Sequence, residues 1–149
     1  MSRERYQVKF AVYLFLRRDN KILLLKRHNT GYMDGTYSLV SGHVEKGEPA
    51  ELAMVREAKE EAGIDIDAND LHLVYVTHRL IEVENDDYVD FYFEVDKWRG
   101  EPVNAEPEKC SEIRWAPVDA LPKEMMPYVK EVFEKYSKGG NYASMRKEI

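Results

Sequence analysis

The chain has 149 residues, of which 22 are basic and 28 acidic, and 44% of them are hydrophobic. This length fits one domain, and the apolar content excludes an intrinsically disordered chain. The net charge of −6 argues against a general duplex-DNA binder, whose affinity would come from basic side chains. A single cysteine, Cys110, excludes an internal disulfide and a cysteine-based zinc site. The longest apolar run, residues 10–16, is too short to span a membrane, so we expect one soluble cytoplasmic domain over residues 1–149.

The predicted elements are mostly strands. Segments rich in β-branched and aromatic residues indicate six strands, and a turn at Asp19 and Asn20 joins the first two into a hairpin. The predicted strands are residues 8–17, 21–27, 36–40, 71–81, 88–95 and 112–117. An acidic turn over residues 84–87 joins the fourth and fifth strands, and the polar residues 137–149 are compatible with a mobile tail.

Two helices are predicted, over residues 49–62 and 125–136. Pro49 suits the first turn of the first helix, and Gly63 suits the left-handed residue that closes it. A mixed sheet covered by helices, which is an α/β fold, fits this order of elements best. The residues of the first helix expected to pack on the sheet are Leu52, Val55, Ala58 and Ala62.

The first helix also carries three glutamates on one face. Glu57, Glu60 and Glu61 are related by steps of three and four residues, which places neighbouring Cβ atoms about 5–6 Å apart. Like charges at this spacing destabilise a helix, and acidic residues in its last turn oppose the helix dipole. A divalent cation removes both penalties, because Mg²⁺ prefers carboxylate oxygens. The spacing therefore favours a metal site over a solvated acidic face.

The same segment carries a longer motif. From Gly42 the sequence reads GHVEKGE, followed by seven residues and then by REAKEEAGI, which begins at Arg56. This pattern resembles the Nudix box, and every charged and glycine position of the box matches. Ala58 is smaller than the usual aliphatic residue at its position, but no charged position is lost. The resemblance implies a Nudix-type α/β/α sandwich, with the mixed sheet between helices.

The resemblance also implies an activity and a metal site. Nudix enzymes cleave a pyrophosphate bond in a nucleoside diphosphate linked to another group, and they use Mg²⁺, for which Mn²⁺ is a possible substitute. The implied metal ligands are the carboxylates of Glu57, Glu60 and Glu61 and the carbonyl of Gly42.

The other implied roles are positioning and proton transfer. Glu48 would orient the ligand set, and Arg56 would pair with a carboxylate of the box and position it. The general base stays open between Glu57 and an acid in the loop before Trp115, where Glu106 is favoured over its neighbours. The alternative for each loop acid, Glu106, Glu108 or Glu112, is a solvated surface carboxylate.

Three further residues are candidates for substrate binding. Arg27 ends the second strand, where it could meet a phosphate or be a surface charge. Tyr37 precedes the box loop and is either a stacking platform or part of the core. Met126 begins the last helix, where small family members often contact a base, and core packing is the alternative.

Two sequence signatures of other family members are absent, which narrows the range of expected substrates. The pattern that the family associates with NADH cleavage is missing, and Arg79 stands where ADP-ribose enzymes tend to have proline. The compact chain resembles family members that convert an NTP or a modified dNTP to the monophosphate and pyrophosphate. The alternatives are a nucleotide-sugar or dinucleotide pyrophosphatase and a non-hydrolytic nucleotide-binding regulator. We expect a small-molecule nucleotide partner, no nucleic acid or membrane partner, and a monomer or homodimer.

Overall fold

The structure contains a mixed sheet of eight strands, compared with the six strands predicted from the sequence. The computed structural model describes residues 3–81 and 86–147, so residues 84 and 85 of the predicted acidic turn lie outside the described residues. The strands are β1 (Lys9–Arg18), β2 (Lys21–Arg27), β3 (Tyr37–Ser38), β4 (Val40–His43), β5 (His72–Ile81), β6 (Tyr88–Val95), β7 (Cys110–Pro117) and β8 (Tyr142–Lys147). The helices are α1 (Ala50–Ala62) and α2 (Pro127–Ser137), with a short 3₁₀ turn at Ala68–Asp70.

The sheet combines parallel and antiparallel pairs. Its order is β3-β2-β1-β6-β5-β8, while β4 pairs with β1 and β7 pairs with β2. The pairs β1–β6 and β5–β8 are parallel, and the other paired strands are antiparallel. This arrangement confirms the predicted mixed sheet.

β1 shows why the sheet lies between the two helices. Successive side chains of a strand point to opposite faces, and both faces of β1 are buried. Tyr13 and Phe15 join the apolar cluster that includes α2, whereas Leu14 and Leu16 join the cluster that includes α1. One helix therefore covers each face, which confirms the α/β/α sandwich.

α1 ends as predicted, but its buried face is turned relative to the predicted one. Gly63 is left-handed, with φ 69°, and its N–H donates to the Lys59 carbonyl at 3.0 Å. Leu52, which was expected to be buried, is 48% exposed. The buried residues of α1 are Ala53, Met54, Ala58 and Ala62. With this stripe buried, the glutamates of α1 lie toward β4, against which the helix packs.

Two predicted segments differ from the structure. Residues 36–40 form two strands instead of one, because β3 pairs with β2 and β4 pairs with β1. The expectation of a mobile tail is wrong for Tyr142–Lys147, which forms β8 parallel to β5. Ala143 and Met145 of β8 pack against the α2-side core, and this burial offsets the entropy of ordering the segment. Among the described residues, no helix is long and apolar enough to cross a membrane.

Candidate active site

A cleft of about 620 Å³ lies where α1, β2, β4 and the loop before β7 meet. The acidic residues of α1 form one part of its wall, and basic residues of β2 and of the loop form another. The charged residues that line it are Lys26, Arg27, Glu45, Glu57, Glu60, Glu61, Glu106 and Lys109. The acidic helix face therefore borders a ligand-sized space.

Arg56 organises the carboxylates at one end of this cleft. Its guanidinium donates to both oxygens of Glu48, from Nε at 2.8 Å and from Nη2 at 2.9 Å. Nη1 donates to Glu57 at 2.8 Å and to Glu60 at 3.4 Å, and Nη2 also donates to the His43 carbonyl at 3.0 Å. Two parallel hydrogen bonds of this kind fix the orientation of the guanidinium and also pair its charge with that of the carboxylate. The side chain thus joins the box loop to the glutamates of α1.

The backbone of β4 positions two of the implied metal ligands. The Ser41 amide donates to Oε1 of Glu61 at 2.7 Å. At the next residue, Gly42, a Cβ atom would overlap the Glu57 carboxylate, with Oε2 only 2.6 Å away. Any side chain at this position would displace the Glu57 carboxylate from the place that it occupies.

Burial gives the glutamates of this site unequal pKa values. Burial raises the pKa of Glu61 to about 8, and the nearby carboxylates of Glu57 and Glu106 raise it further. Burial also raises the pKa of Glu57, although the bond from Arg56 opposes this shift. In contrast, the hydrogen bonds from Arg56 lower the pKa of Glu48 to about 2. The site therefore combines one strongly acidic carboxyl group, Glu48, with two buried carboxyl groups, Glu57 and Glu61, whose ionised forms are disfavoured by burial.

This donor set fits a divalent cation. Several carboxylates share one cleft, and neighbouring carboxylates help to raise the pKa values of Glu57 and Glu61. Hard oxygen ligands of this kind are those that Mg²⁺ prefers. In residues 3–81 and 86–147, no three such side chains already converge on one metal position. Glu57 and Glu60 bond Arg56 instead, and Glu61 bonds the Ser41 amide. Shared coordination would require these carboxylates to turn away from their present partners.

Two of the other predicted site residues reach this cleft. Arg27 lines it, and its guanidinium is held by the Tyr32 carbonyl at 2.8 Å and the Thr30 hydroxyl at 3.0 Å. Glu106 also lines it, and its backbone carbonyl accepts from the amides of Lys109 and Cys110. The positions of these side chains in the cleft are compatible with a phosphate contact by Arg27 and with proton transfer by Glu106.

The structure does not place Tyr37 and Met126 in the cleft. Tyr37 is 5% exposed in the α2-side core, and its hydroxyl donates to Glu112. Met126 is 1% exposed in the same core. Both residues lie where β3 meets the start of α2, as the bond from the Met126 amide to the Tyr37 carbonyl shows. Their predicted substrate contacts are therefore replaced by core packing.

Sequence reasoning missed a buried polar group beside the cleft. Arg79 of β5 donates to both oxygens of Asp90 on β6, at 2.6 and 2.9 Å, and Asp90 also accepts from Thr77. The guanidinium carbon lies 4.5 Å from the ring centre of Tyr88 and 4.2 Å from that of Tyr128. Only the register of β5 against β6 brings Arg79 and Asp90 together, and no local sequence signal encodes that register.

Comparison with known proteins identifies the family. The NUDIX domain model matches residues 5–136. The chain belongs to the NUDIX domain family. The crystal structure of a MutT NUDIX hydrolase from Burkholderia pseudomallei superposes with a TM-score of 0.79 at 27% identity, covering 86% of this chain and 97% of that one. A MutT protein from Bacillus halodurans, 20% identical, shares the fold with a TM-score of 0.77 over 93% of this chain and 90% of its own.

A relative in sequence is also a hydrolase. The NAD-capped RNA hydrolase NudC of Escherichia coli O157:H7 is 34% identical over 122 residues, which are 80% of this chain. The chain spans only 44% of that relative's length. The family match and the named hydrolases support the prediction of a Nudix pyrophosphohydrolase.

Proposed function

We propose that this NUDIX domain hydrolyses a pyrophosphate bond in a nucleoside diphosphate linked to another group, with Mg²⁺ or, as a substitute, Mn²⁺. The favoured substrate is an NTP or a modified dNTP, which gives the monophosphate and pyrophosphate. The observation that carries the proposal is the group of glutamates that Arg56 and β4 hold at one cleft. Cytoplasmic location and a monomeric or homodimeric state stay predictions.

The contacts of each residue indicate the role that we propose for it. Glu57, Glu60, Glu61 and the Gly42 carbonyl would hold the metal. Such an ion, when bound, neutralises phosphate charge and acidifies the attacking water. Glu48 fixes Arg56 through two hydrogen bonds. Arg56 in turn would orient Glu57 and Glu60, while the Ser41 amide would orient Glu61.

Glu106 is the better candidate for the general base. The Glu57 carboxylate is already bonded to Arg56, whereas the Glu106 carboxylate accepts no hydrogen bond from the described part of the chain. A carboxylate in the cleft that is not engaged can accept a proton from a water molecule within hydrogen-bond reach. The guanidinium of Arg27 and the ammonium of Lys109, which line the same cleft, can contact the departing phosphate.

A panel of nucleotides with Mg²⁺ tests this proposal. We expect release of pyrophosphate or phosphate from at least one nucleotide and its collapse, by about 100-fold or more, in Glu60→Gln. Glu51→Gln is the matched control, because Glu51 is an exposed glutamate of the same helix outside the cleft. If no nucleotide is cleaved but one raises the melting temperature, the chain is a binding module and the proposal is wrong.

A dinucleotide is the second candidate substrate. The NudC relative acts on NAD-capped RNA according to its name, and NAD contains the same type of pyrophosphate bond. Including NAD⁺ and NADH in the panel decides between the two, because a dinucleotide pyrophosphatase releases nucleoside monophosphates from them. The same comparison with NAD-capped RNA tests the expectation that no nucleic acid is bound.

A further inference from the structure

The loop between β2 and β3, which we call the β2–β3 loop, forms one wall of the cleft next to Arg27. Asn29 and Thr30 of this loop line the cleft beside the Arg27 side chain. Both ends of the loop close on the backbone of Arg27, whose amide donates to the Thr36 carbonyl at 2.9 Å and whose carbonyl accepts from the Gly35 amide at 2.8 Å. The conformation of the loop therefore determines the surroundings of the Arg27 guanidinium.

The backbone of the β2–β3 loop adopts an uncommon conformation. Asn29 and Met33 have φ of 53° and 48°, values that residues other than glycine rarely adopt. Gly31 and Gly35 also have positive φ, of 80° and 85°. Such backbone persists only where the surrounding contacts hold it, and it often occurs at functional sites. In this loop, several of these contacts come from the side chain of Asp34.

The Asp34 carboxylate closes the loop by accepting hydrogen bonds from the two residues that follow Asn29. It accepts from the Thr30 hydroxyl at 2.6 Å, from the Thr30 amide at 3.1 Å and from the Gly31 amide at 3.0 Å. The bond from the Thr30 hydroxyl contributes most to the lowered pKa of Asp34, and the charge of Arg27 lowers this pKa further. Because an ionised carboxylate can only accept hydrogen bonds, the Thr30 hydroxyl directs its proton toward Asp34.

The direction of this bond determines what the Thr30 hydroxyl offers to Arg27. A hydroxyl has one proton and two lone pairs. Because the proton points to Asp34, the lone pairs accept from Nη2 of Arg27 at 3.0 Å and from the Tyr32 amide at 3.1 Å. The Tyr32 carbonyl accepts from Nε of Arg27 at 2.8 Å. A directed chain of hydrogen bonds thus runs from Arg27 through Thr30 to Asp34.

The Arg27 guanidinium keeps donors for a ligand in the cleft. Two of its five N–H groups are used by the loop, and the other three have no partner within residues 3–81 and 86–147. We propose that Asp34 is a positioning residue for phosphate binding: through the Thr30 hydroxyl it holds the Arg27 guanidinium in the direction in which it contacts a phosphate of the substrate. The proposal rests on the proposed function, in which the substrate phosphates lie in this cleft. An arginine held in this way loses little freedom when the phosphate arrives, which favours binding.

A double-mutant cycle between Asp34 and Arg27 tests this proposal. The assay is kcat/KM, with Mg²⁺, for a nucleotide that the panel identifies. Arg27→Ala should lower kcat/KM about 30-fold, as expected for a lost charge-assisted hydrogen bond. Asp34→Asn should lower it about tenfold, because an amide N–H would face the donors of the loop and the guanidinium would lose its direction. In the Arg27→Ala background, Asp34→Asn should change kcat/KM less than about twofold.

Substitutions of Thr30 test the middle of the same chain. Thr30→Val keeps the shape of the side chain but removes the hydroxyl, so it should lower kcat/KM about as much as Asp34→Asn. Thr30→Ser keeps the hydroxyl and should recover most of the activity that Thr30→Val loses. In ¹⁵N NMR spectra, the Nε–H of Arg27 should exchange with water about tenfold faster in Asp34→Asn and in Thr30→Val than in the parent protein. This last measurement does not depend on turnover.

Asp67→Asn is the matched control for Asp34→Asn. The Asp67 carboxylate closes the 3₁₀ turn in a similar manner, by accepting from the Asn69 amide at 2.9 Å, but Asp67 lies outside the cleft. This control should have the kcat/KM of the parent protein. Because both aspartates are exposed, neither substitution empties the core, and thermal unfolding checks that each variant is folded.

The outcomes separate this proposal from the proposed function. Turnover by the parent protein with unchanged kcat/KM in Asp34→Asn overturns the role of Asp34 and leaves the hydrolysis standing. An equal loss in the parent and Arg27→Ala backgrounds also overturns it, since the effect of Asp34 would then not pass through Arg27. If no nucleotide is cleaved, the hydrolysis is refuted, and calorimetry with methylenediphosphonate and Mg²⁺ decides the rest. Binding that Asp34→Asn weakens only when Arg27 is present supports the positioning role, and any other result overturns it.

Discussion

Replacing Gly42 by alanine tests how strongly catalysis depends on the position of the Glu57 carboxylate. The change keeps the Gly42 carbonyl, and β4 accepts it because Gly42 pairs with Val12 and has no positive φ. The new Cβ would lie 2.6 Å from Oε2 of Glu57, whereas ordinary contacts are 3.4–4 Å. The carboxylate carbon and Oε1 lie closer still, so the Glu57 carboxylate must move by more than about 1 Å, and a misplacement of about 1 Å can already lower a rate about 100-fold. The backbone of the strand stays as it is.

The assay is Mg²⁺-dependent pyrophosphate release, together with thermal unfolding of each variant. Gly42→Ala should lose about 100-fold in kcat/KM with a small change in Tm. Gly100→Ala is the opposite control, because Gly100 has φ 92° and lies outside the cleft. A side chain there costs about 1–2 kcal/mol of stability, while kcat/KM should stay within about twofold. Full activity in a folded Gly42→Ala protein would refute the role given to Glu57.

Two further predictions concern stability. Asp90→Asn leaves the buried Arg79 guanidinium without its counter-charge, so denaturant unfolding should show a loss of about 3–5 kcal/mol; a loss below about 1 kcal/mol would contradict a buried, mutually dependent pair. Glu48→Gln should be less stable than the parent protein at pH 7. The pKa of Glu48 is lowered from 4.5 to about 2, so the ionised form stabilises the fold above pH 4.5 and this contribution disappears as the pH falls toward 2. Unfolding curves at several pH values check this, and an offset that does not shrink on acidification would rule out the bond to Arg56 as its source.

The acidic part of the site could be predicted because its geometry is local. Glu57, Glu60 and Glu61 share a helix face by spacing alone, and Gly63 ends that helix for a reason of backbone conformation. The hydrogen bonds from Arg56 to Glu57 and Glu60 also lie within one helix. Short-range regularities of this kind are visible in a sequence.

The features that could not be predicted depend on contacts between segments that are distant in the sequence. Arg79 meets Asp90 only through the pairing of β5 with β6, and Met145 reaches the core only because β8 joins the far edge of the sheet. Tyr37 and Met126 were candidates for ligand contact, since aromatic and methionine side chains serve both roles. Their burial follows from the meeting of β3 with the start of α2, which sequence spacing does not encode.

The rotation of α1 about its own axis also depends on a contact between distant segments. A helical wheel gives the relative positions of side chains, but the partner surface decides which stripe is buried. Gly42 lets the Glu57 carboxylate approach β4 closely, and this contact accompanies a rotation that leaves Leu52 exposed. The function of the face was therefore easier to predict than its packing.

The most direct test of the account is pyrophosphate release by the parent protein, Glu60→Gln and Glu51→Gln, each measured with Mg²⁺ and with EDTA. The account predicts turnover of a nucleotide by the parent and by Glu51→Gln that EDTA abolishes, and a loss of about 100-fold or more in Glu60→Gln. Equal turnover by Glu60→Gln and Glu51→Gln, or turnover that persists in EDTA, would contradict it.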